Sequence, residues 1–249
     1  MILVKSSQEV AIMRENAWAL AEILRQLTER ARPGVSTQTL DELAEALMEQ
    51  IGAESAFKGY RGYPCSICTS INHEVIHGIP GPDRVLKNGD VLSIDTGIRR
   101  KGYFADLATT VIVGEASERA RRVLAVAWAA LDRGIEAARS GRRVSDISHA
   151  IGSFVESQGY SVVKTFVGHG IGRAMHEEPQ IPNYGPPGKG ARLRPGMVLA
   201  IEPMVKEDPA EVEVAEDGWT ARTPNGGLAA HVEEMVLITE AGPVCLSRP

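Results

Sequence analysis

Cysteine is scarce, with three residues in 249, which excludes a disulfide-built scaffold. Cys65 and Cys68 have C-x-x-C spacing, but no second pair completes a zinc site. They read as packing or cavity lining, and Cys245 stands alone. Basic residues are not in excess: 27 Lys and Arg face 32 Asp and Glu, a net charge of −5. That balance argues against a nucleic-acid footprint, so no direct nucleic-acid binding is expected. No apolar run approaches the length of a membrane span, and the opening Met1-Ile-Leu-Val-Lys5 is too short for a signal peptide. A soluble, cytoplasmic protein without membrane association is expected. Linkers and low-complexity tracts are also missing, which predicts one continuous domain over residues 1–249, with halves at about 1–114 and 115–249. No long exposed apolar stripe argues for a dimer, so a monomer is expected.

What the chain does have is an internal echo. Leu86 to Asp95 reads L-K-N-G-D-V-L-S-I-D, and Leu193 to Glu202 reads L-R-P-G-M-V-L-A-I-E, an offset of 107 residues. The same offset pairs Gly34 with Gly141 and Gly52 with Gly159. Self-similarity at a fixed offset marks a duplicated unit, here two halves related by an approximate two-fold axis. Each copy places a turn signal before an aliphatic run, the pattern of a strand. Alternation puts Val91, Ser93 and Asp95 on one face and Leu92 and Ile94 on the other, and likewise groups Val198, Ala200 and Glu202. Equivalent strand ends would then bring Asp95 and Glu202 face to face.

Taken in order, Ser6 to Glu9 forms a capping-box pattern. Ile12, Ala19, Ile23 and Leu27 follow at helical spacing. A second helix opens at Ser36 or Thr37, with Leu40, Leu43, Leu47 and Ile51 on one face. Residues 57–80 read as loops around short strands, where Tyr60, Tyr63 and His77 have ordinary packing as their default role. After Asp95 a β-hairpin turning near Arg100-Lys101 sets Asp95 opposite Asp106. Paired Cβ atoms lie roughly 5 Å apart, and like charges so close are destabilising unless neutralised. Ser117–Arg139 and Ser145–Gln158 repeat the helix pair. The glycines of 168–172 would let backbone pass close to a ligand. Trp219, after Asp217-Gly218, falls on a further hairpin.

Asp95, Asp106, His169, Glu202 and one of Glu233 or Glu234 make four carboxylates and one imidazole at strand ends. Buried together they need counter-charge, and two divalent ions balance four carboxylates. Oxygen-rich ligation with one nitrogen suits Mn²⁺, Fe²⁺ or Co²⁺ better than a thiolate-type zinc site. Such pairs of ions, about 3.5–4 Å apart, activate water in hydrolases.

H-G-I-P at 77–80, I-D-T-G at 94–97, Asp106, G-H-G-I-G at 168–172, H-E-E-P at 176–179 and I-E-P-M at 201–204 occur in this order. On these motifs the chain resembles, nearly end to end, the type I methionine aminopeptidases of pita-bread metallopeptidase family M24. The resemblance implies an α+β pita-bread fold, two pseudo-symmetric halves with a curved antiparallel sheet and outer helices. It implies two divalent ions (Mn, Fe, Co or Zn) on Asp95, Asp106, His169, Glu202 and Glu233. Asp95 and Asp106 would hold one ion and His169 and Glu202 mainly the other, with Asp106 and Glu233 bridging. Glu202 would also accept the proton of the attacking water, His176 bind the scissile carbonyl, and His77 serve the amide nitrogen. Tyr60, Tyr63, Cys68, Met175 and Trp219 would line the pocket for the methionine side chain, since a thioether suits apolar, aromatic surroundings. The implied activity removes the initiator methionine from nascent chains with a small second residue, with a transient ribosome contact.

Two departures mark this chain. Met175 stands where the family usually has an aromatic residue, and Glu234-Met235 where it usually has His-Thr. Spacing back from Leu237 to Thr239 selects Glu233 as the ligand and points Glu234 away. Two rival readings share the fold: an Xaa-Pro aminopeptidase or prolidase-like peptidase, whose relatives usually carry a large extra N-terminal domain, and a non-catalytic binding protein.

Overall fold

The computed structural model describes residues 2–247, so Met1, Arg248 and Pro249 of the expected 1–249 domain lie outside the described residues. Helix α1 (Ser7–Arg30) begins on the capping box: the Ser6 hydroxyl accepts the Glu9 N–H while the Glu9 carboxylate accepts the Ser6 N–H. Its buried face runs through Met13, Ala17, Leu20, Ile23, Leu24 and Leu27. Ile12 and Ala19 are only half-buried, because the face that meets the sheet is centred on Met13 and Leu20. Ser36 caps α2 (Thr37–Gln50), which buries Leu40 and Leu47. The strands β1 (Glu54–Ser55), β2 (Ile67–Ile71), β3 (Glu74–Ile76), β4 (Val91–Arg100) and β5 (Tyr103–Ile112) follow. Strand β4 is central, antiparallel to β1, β2 and β5.

The second half repeats the plan with α3 (Glu118–Ala137), capped by Ser117, and α4 (Val144–Ser157). Then come β6 (Ser161–Val162), β7 (Gly168–Gly170), β8 (Glu177–Ile181), β9 (Val198–Ile201) and β10 (Met204–Lys206). The last strands are β11 (Glu213–Val214), β12 (Ala221–Arg222), β13 (Ala229–His231), β14 (Glu234–Ile238) and β15 (Pro243–Cys245). A five-stranded antiparallel sheet runs in the order β15-β14-β9-β7-β8, and two three-stranded sheets, β13-β10-β6 and β11-β12-β3, complete the layer.

The echo in the sequence is an echo in backbone geometry. α2 and α4 start and end 107 residues apart. Gly34 donates to the Leu86 carbonyl and Gly141 to that of Leu193, and the isolated bridges Ser36–Val85 and Arg143–Arg192 keep the same offset. Gly34 and Gly141 take φ of 88° and 85°, conformations that favour glycine. One apolar cluster lies under α1 and α2 and takes Leu92, Ile94 and Ile98 from β4. A second lies under α3 and α4 and takes Leu199 and Ile201 from β9. The first also contains Val198, Met235 and Leu237, so the halves share packed side chains. Apolar burial on one face of β4 leaves Ser93 and Asp95 on the other, as alternation predicts.

Three expectations are corrected. The hairpin turns at Lys101-Gly102, both left-handed (φ 51° and 78°), and not at Arg100-Lys101. Arg100 therefore pairs with Tyr103, Asp95 with Ala108 and Asp106 with Gly97. The two aspartates share a face as diagonal neighbours, not as a directly opposed pair. Nor do they sit at strand ends: both lie within long strands that run on to the turn, whereas Glu202 follows the end of β9 and Glu233 precedes β14. Finally, the glycines flanking His169 serve strand packing. A Cβ on Gly168 would stand 2.5 Å from the Ala200 carbonyl oxygen, and one on Gly170 2.4 Å from that of Glu178. They let β7 lie tightly between β8 and β9.

Among the described residues, no helix is long and apolar enough to cross a membrane. The packing around β7 predicts that Gly168→Ala lowers stability by about 1–3 kcal/mol, the usual cost of overpacking. Urea denaturation followed by circular dichroism measures it, and an unchanged midpoint would refute the steric account.

Candidate metal centre and its cavity

The inner faces of β4, β5, β7 and the ends of β9 and β14 meet in one cavity of about 320 Å³. Its wall contains every residue that the sequence singled out: Asp95, Asp106, His169, Glu202 and Glu233, His77 and His176, and Tyr60, Tyr63, Cys68, Met175 and Trp219. Asp106, His169 and Glu233 bring donor atoms within 4.8 Å of one another. Asp95 and Glu202 flank this buried trio. The backbone N–H of Glu233 donates to the Ala108 carbonyl at 2.9 Å, which ties the start of β14 to the strand carrying Asp106. Glu234 does not line this cavity: Ser247 donates to its carboxylate, and together with Glu233 it lines a separate depression beside α1.

His169 defines the electrostatics. Its Nδ1 lies 2.9 Å from the Gly170 carbonyl oxygen, which only accepts, so Nδ1 carries the proton and Nε2 presents a lone pair. That Nε2 lies 3.7 Å from Asp106 and 3.5 Å from Glu202. A lone pair facing two carboxylates has no proton to bridge them when the imidazole is neutral. Burial and the neighbouring His176 hold His169 down at about 4, so it is neutral at pH 7. One oxygen each of Asp95, Asp106 and Glu233 is buried without a hydrogen-bond partner among the described residues. Unpartnered buried oxygens are costly. Converging carboxylates beside an imidazole lone pair fit divalent cations, and the Nδ1–H hydrogen bond of His169 is the kind that orients a metal-bound imidazole.

Burial raises Asp95 to about 7. Burial pushes Asp106 well up, with Asp95 adding to it. Glu202 and Glu233 rise well above the carboxylate range, first through burial and then through Asp106.

The opposite wall is aromatic. Tyr63 meets Trp219 edge-on at 5.1 Å between ring centres, and its hydroxyl donates to the Ile67 carbonyl at 3.0 Å. Tyr60 shares a hydrogen bond with His176 Nδ1 at 3.0 Å, and the His169 ring lies tilted beside His176 with 4.3 Å between ring centres. Burial lowers His176, as does the Arg61 guanidinium. His77 packs edge-on to Phe166 at 5.0 Å, and burial, then His176, lowers it to about 4. Met175 and Phe57 close over Gly97, where a Cβ would stand 3.2 and 2.9 Å from them.

The sequence reading did not single out Phe57, Arg61, Phe166 or His231. Phe166 was hidden in a stretch marked by its glycines and His169. Arg61 follows Tyr60 but takes φ of 49°, which places its guanidinium 5.4 Å from the Tyr60 ring centre. His231, two residues before Glu233, is buried behind Glu202 with Nε2 3.8 Å from the carboxylate. Position two before a ligand on an alternating run was the one available signal for it.

The raised carboxylates fix a sign for cation binding. Carboxyl groups whose protonated form burial favours must lose protons to ligate, so protons compete with the metal. Mn²⁺ affinity is expected to fall as pH drops from 8 to 6, with protons released on binding. Titration calorimetry of EDTA-treated protein in two buffers of different ionisation enthalpy reads both, and equal affinity with no proton release would refute the assignment. Thermal stability should rise on Mn²⁺ addition, more at pH 8 than at pH 6.

Comparison with known proteins agrees with this geometry. The model of metallopeptidase family M24 matches residues 11–240. A methionine aminopeptidase of Clostridium acetobutylicum is 48% identical over 247 residues, covering 99% of each chain. The crystal structure of the Thermotoga maritima methionine aminopeptidase superposes with a TM-score of 0.97 at 43% identity, covering both chains completely. A prolidase from Pyrococcus furiosus gives 0.81 at 25% identity, covering 99% of this chain but 65% of its own. The pita-bread architecture is thus shared with a prolidase, while the matches to the Clostridium acetobutylicum and Thermotoga maritima proteins run over essentially the full length of both chains. The chain belongs to metallopeptidase family M24, among its methionine aminopeptidases of type I.

Proposed function

We propose that this chain is one continuous catalytic unit that removes the N-terminal methionine from polypeptides with a small second residue. The observation that carries the reading is the juxtaposition, in one cavity, of five buried metal-type donors and an aromatic, sulfur-tolerant wall. Asp95 and Asp106 would hold one divalent ion and His169 and Glu202 mainly a second, with Asp106 and Glu233 shared. Bound there, Mn²⁺, Fe²⁺, Co²⁺ or Zn²⁺ would supply Lewis acidity and lower the pKa of water.

The protein's own groups do the rest. Tyr60, Tyr63, Cys68, Met175 and Trp219 take the thioether side chain. Glu202 accepts the proton of the attacking water. In the tautomer in which Tyr60 donates to His176 Nδ1, Nε2–H is left to donate to the scissile carbonyl as charge develops on it. His77, neutral at pH 7, attends the amide nitrogen as it leaves. The requirement for a small second residue belongs to the same reading and follows from the family resemblance. The same reading takes nascent chains as the natural substrates and the protein as a cytoplasmic monomer with a transient ribosome contact.

Steady-state assays of the Mn²⁺-loaded protein are expected to release methionine from Met-Ala-Ser and little from Met-Leu-Ser. Asp106→Asn should lower kcat by at least about 100-fold, within the range that follows loss of a catalytic electrostatic group. Turnover of Ala-Pro-Gly in preference to Met-Ala-Ser would move the chain to the Xaa-Pro peptidases. Peptide binding without turnover under Mn²⁺, Fe²⁺ and Co²⁺ would make it a binding protein.

A further inference from the structure

Behind Glu202, outside the cavity wall, lies an imidazole that the reaction as derived does not use. His231 ends β13 and is 1% exposed. Its backbone is clamped on both sides. The N–H donates toward Thr110 Oγ1 at 3.0 Å and Ser93 Oγ at 3.2 Å, and the carbonyl accepts from Thr110 Oγ1 at 2.7 Å. The Ser93 and Thr110 hydroxyls are themselves 2.8 Å apart. This network joins β4, β5 and β13 and fixes the direction in which the ring leaves the chain. Yet both ring nitrogens lack a hydrogen-bond partner among the described residues. A buried imidazole with neither nitrogen satisfied is expensive and calls for a reason.

The polar group it faces is the carboxylate of Glu202. His231 Nε2 lies 3.8 Å from Glu202 Oε2, while Oε1 of the same carboxylate lies 3.5 Å from His169 Nε2. The two oxygens thus look in opposite directions, one into the donor cluster and one back toward His231. A neutral imidazole carries one N–H. The tautomer with that proton on Nε2 points a donor at the carboxylate, whereas the other sets lone pair against lone pair. At 3.8 Å the contact is longer than a hydrogen bond, and catalytic hydrogen bonds often stand long until a site is loaded. Glu202 is also held from its backbone, where Asn183 Nδ2 donates to its carbonyl at 3.1 Å.

We propose that His231 is a positioning residue for Glu202: its Nε2–H holds Oε2 from behind and so keeps Oε1 directed at the donor cluster. The inference rests on the reading of Glu202 as ligand and proton acceptor. It belongs to the class of outer hydrogen bonds that orient metal-binding side chains, whose removal typically costs about 10–100-fold in affinity or activity. A simple packing role would need only the volume of the ring.

The test separates donor from volume. His231→Phe keeps a planar ring and removes the donor, and His231→Gln loses the ring and keeps an N–H. Mn²⁺ titration calorimetry and kinetics on Met-Ala-Ser are run on both beside the wild type, with His231→Leu as a second apolar variant should the Phe variant fail to fold. The Phe or Leu variant is expected to weaken Mn²⁺ binding about 10-fold and lower kcat about 10–100-fold, with KM within about twofold. The Gln variant should recover most of both. Equal losses in the Gln and apolar variants, or none in either, would overturn the inference. If the wild type itself turned over no peptide, the functional reading would fail, while the Mn²⁺ affinities would still decide whether His231 holds Glu202.

Discussion

Four carboxylates and an imidazole lone pair are buried within one cavity, and that crowding constrains the rest of the molecule. Burial strips these groups of much of their hydration, so the fold must hold like charges together where repulsion is poorly screened. The position of the His169 proton sharpens the constraint: with Nδ1–H committed to the Gly170 carbonyl, Nε2 meets Asp106 and Glu202 as a base facing bases. Divalent cations neutralise such a set, and without them protons do, which is why burial drives the carboxylates upward. Electrostatic stress of this kind survives only where the backbone is over-determined by other contacts.

Those contacts come from close strand packing and from a few buried polar links. Gly168 and Gly170 let β7 nest between its neighbours, so His169 is fixed by backbone. The Ser93–Thr110–His231 network ties strands of both halves together directly behind the donors. Lys5 reaches from the N-terminal segment to Glu177 in a buried ion pair. Glu177 in turn accepts the N–H groups of Arg173 and Ala174. The loop that presents Met175 and His176 is thereby pinned to the body of the protein. Breaking such a pair is more costly than its net contribution suggests, because it leaves a buried charge alone.

The cavity is divided by chemistry. Its polar side is built on long strands and strand ends, where positions are rigid. Its apolar side comes from residues 57–68, 166, 175 and 219, which lie in loops and short elements. A rigid reacting side and a loop-built recognition side is a common division of labour. His77 shows its cost, standing at φ 61°, a conformation uncommon for a residue with a side chain.

Much of this was legible in order along the chain. The 107-residue echo, the capped helices, the alternation on β4 and the five donors are local patterns, and local patterns follow from propensity and periodicity. That Glu233 and not Glu234 lines the cavity was legible too, because one step along an extended run reverses the face. What the chain could not disclose depended on geometry between distant segments. The hairpin register turned on which two residues took left-handed conformations, Lys101 and Gly102 in place of Arg100 and Lys101. The purpose of the glycines at 168 and 170 depended on how near β8 and β9 approach, and the place of His231 on what lies behind Glu202. Sequence determined which groups were present and which way each local element turned them. Tertiary structure alone decided their distances, because hydrogen bonding, burial and charge repulsion act through space between residues far apart along the chain.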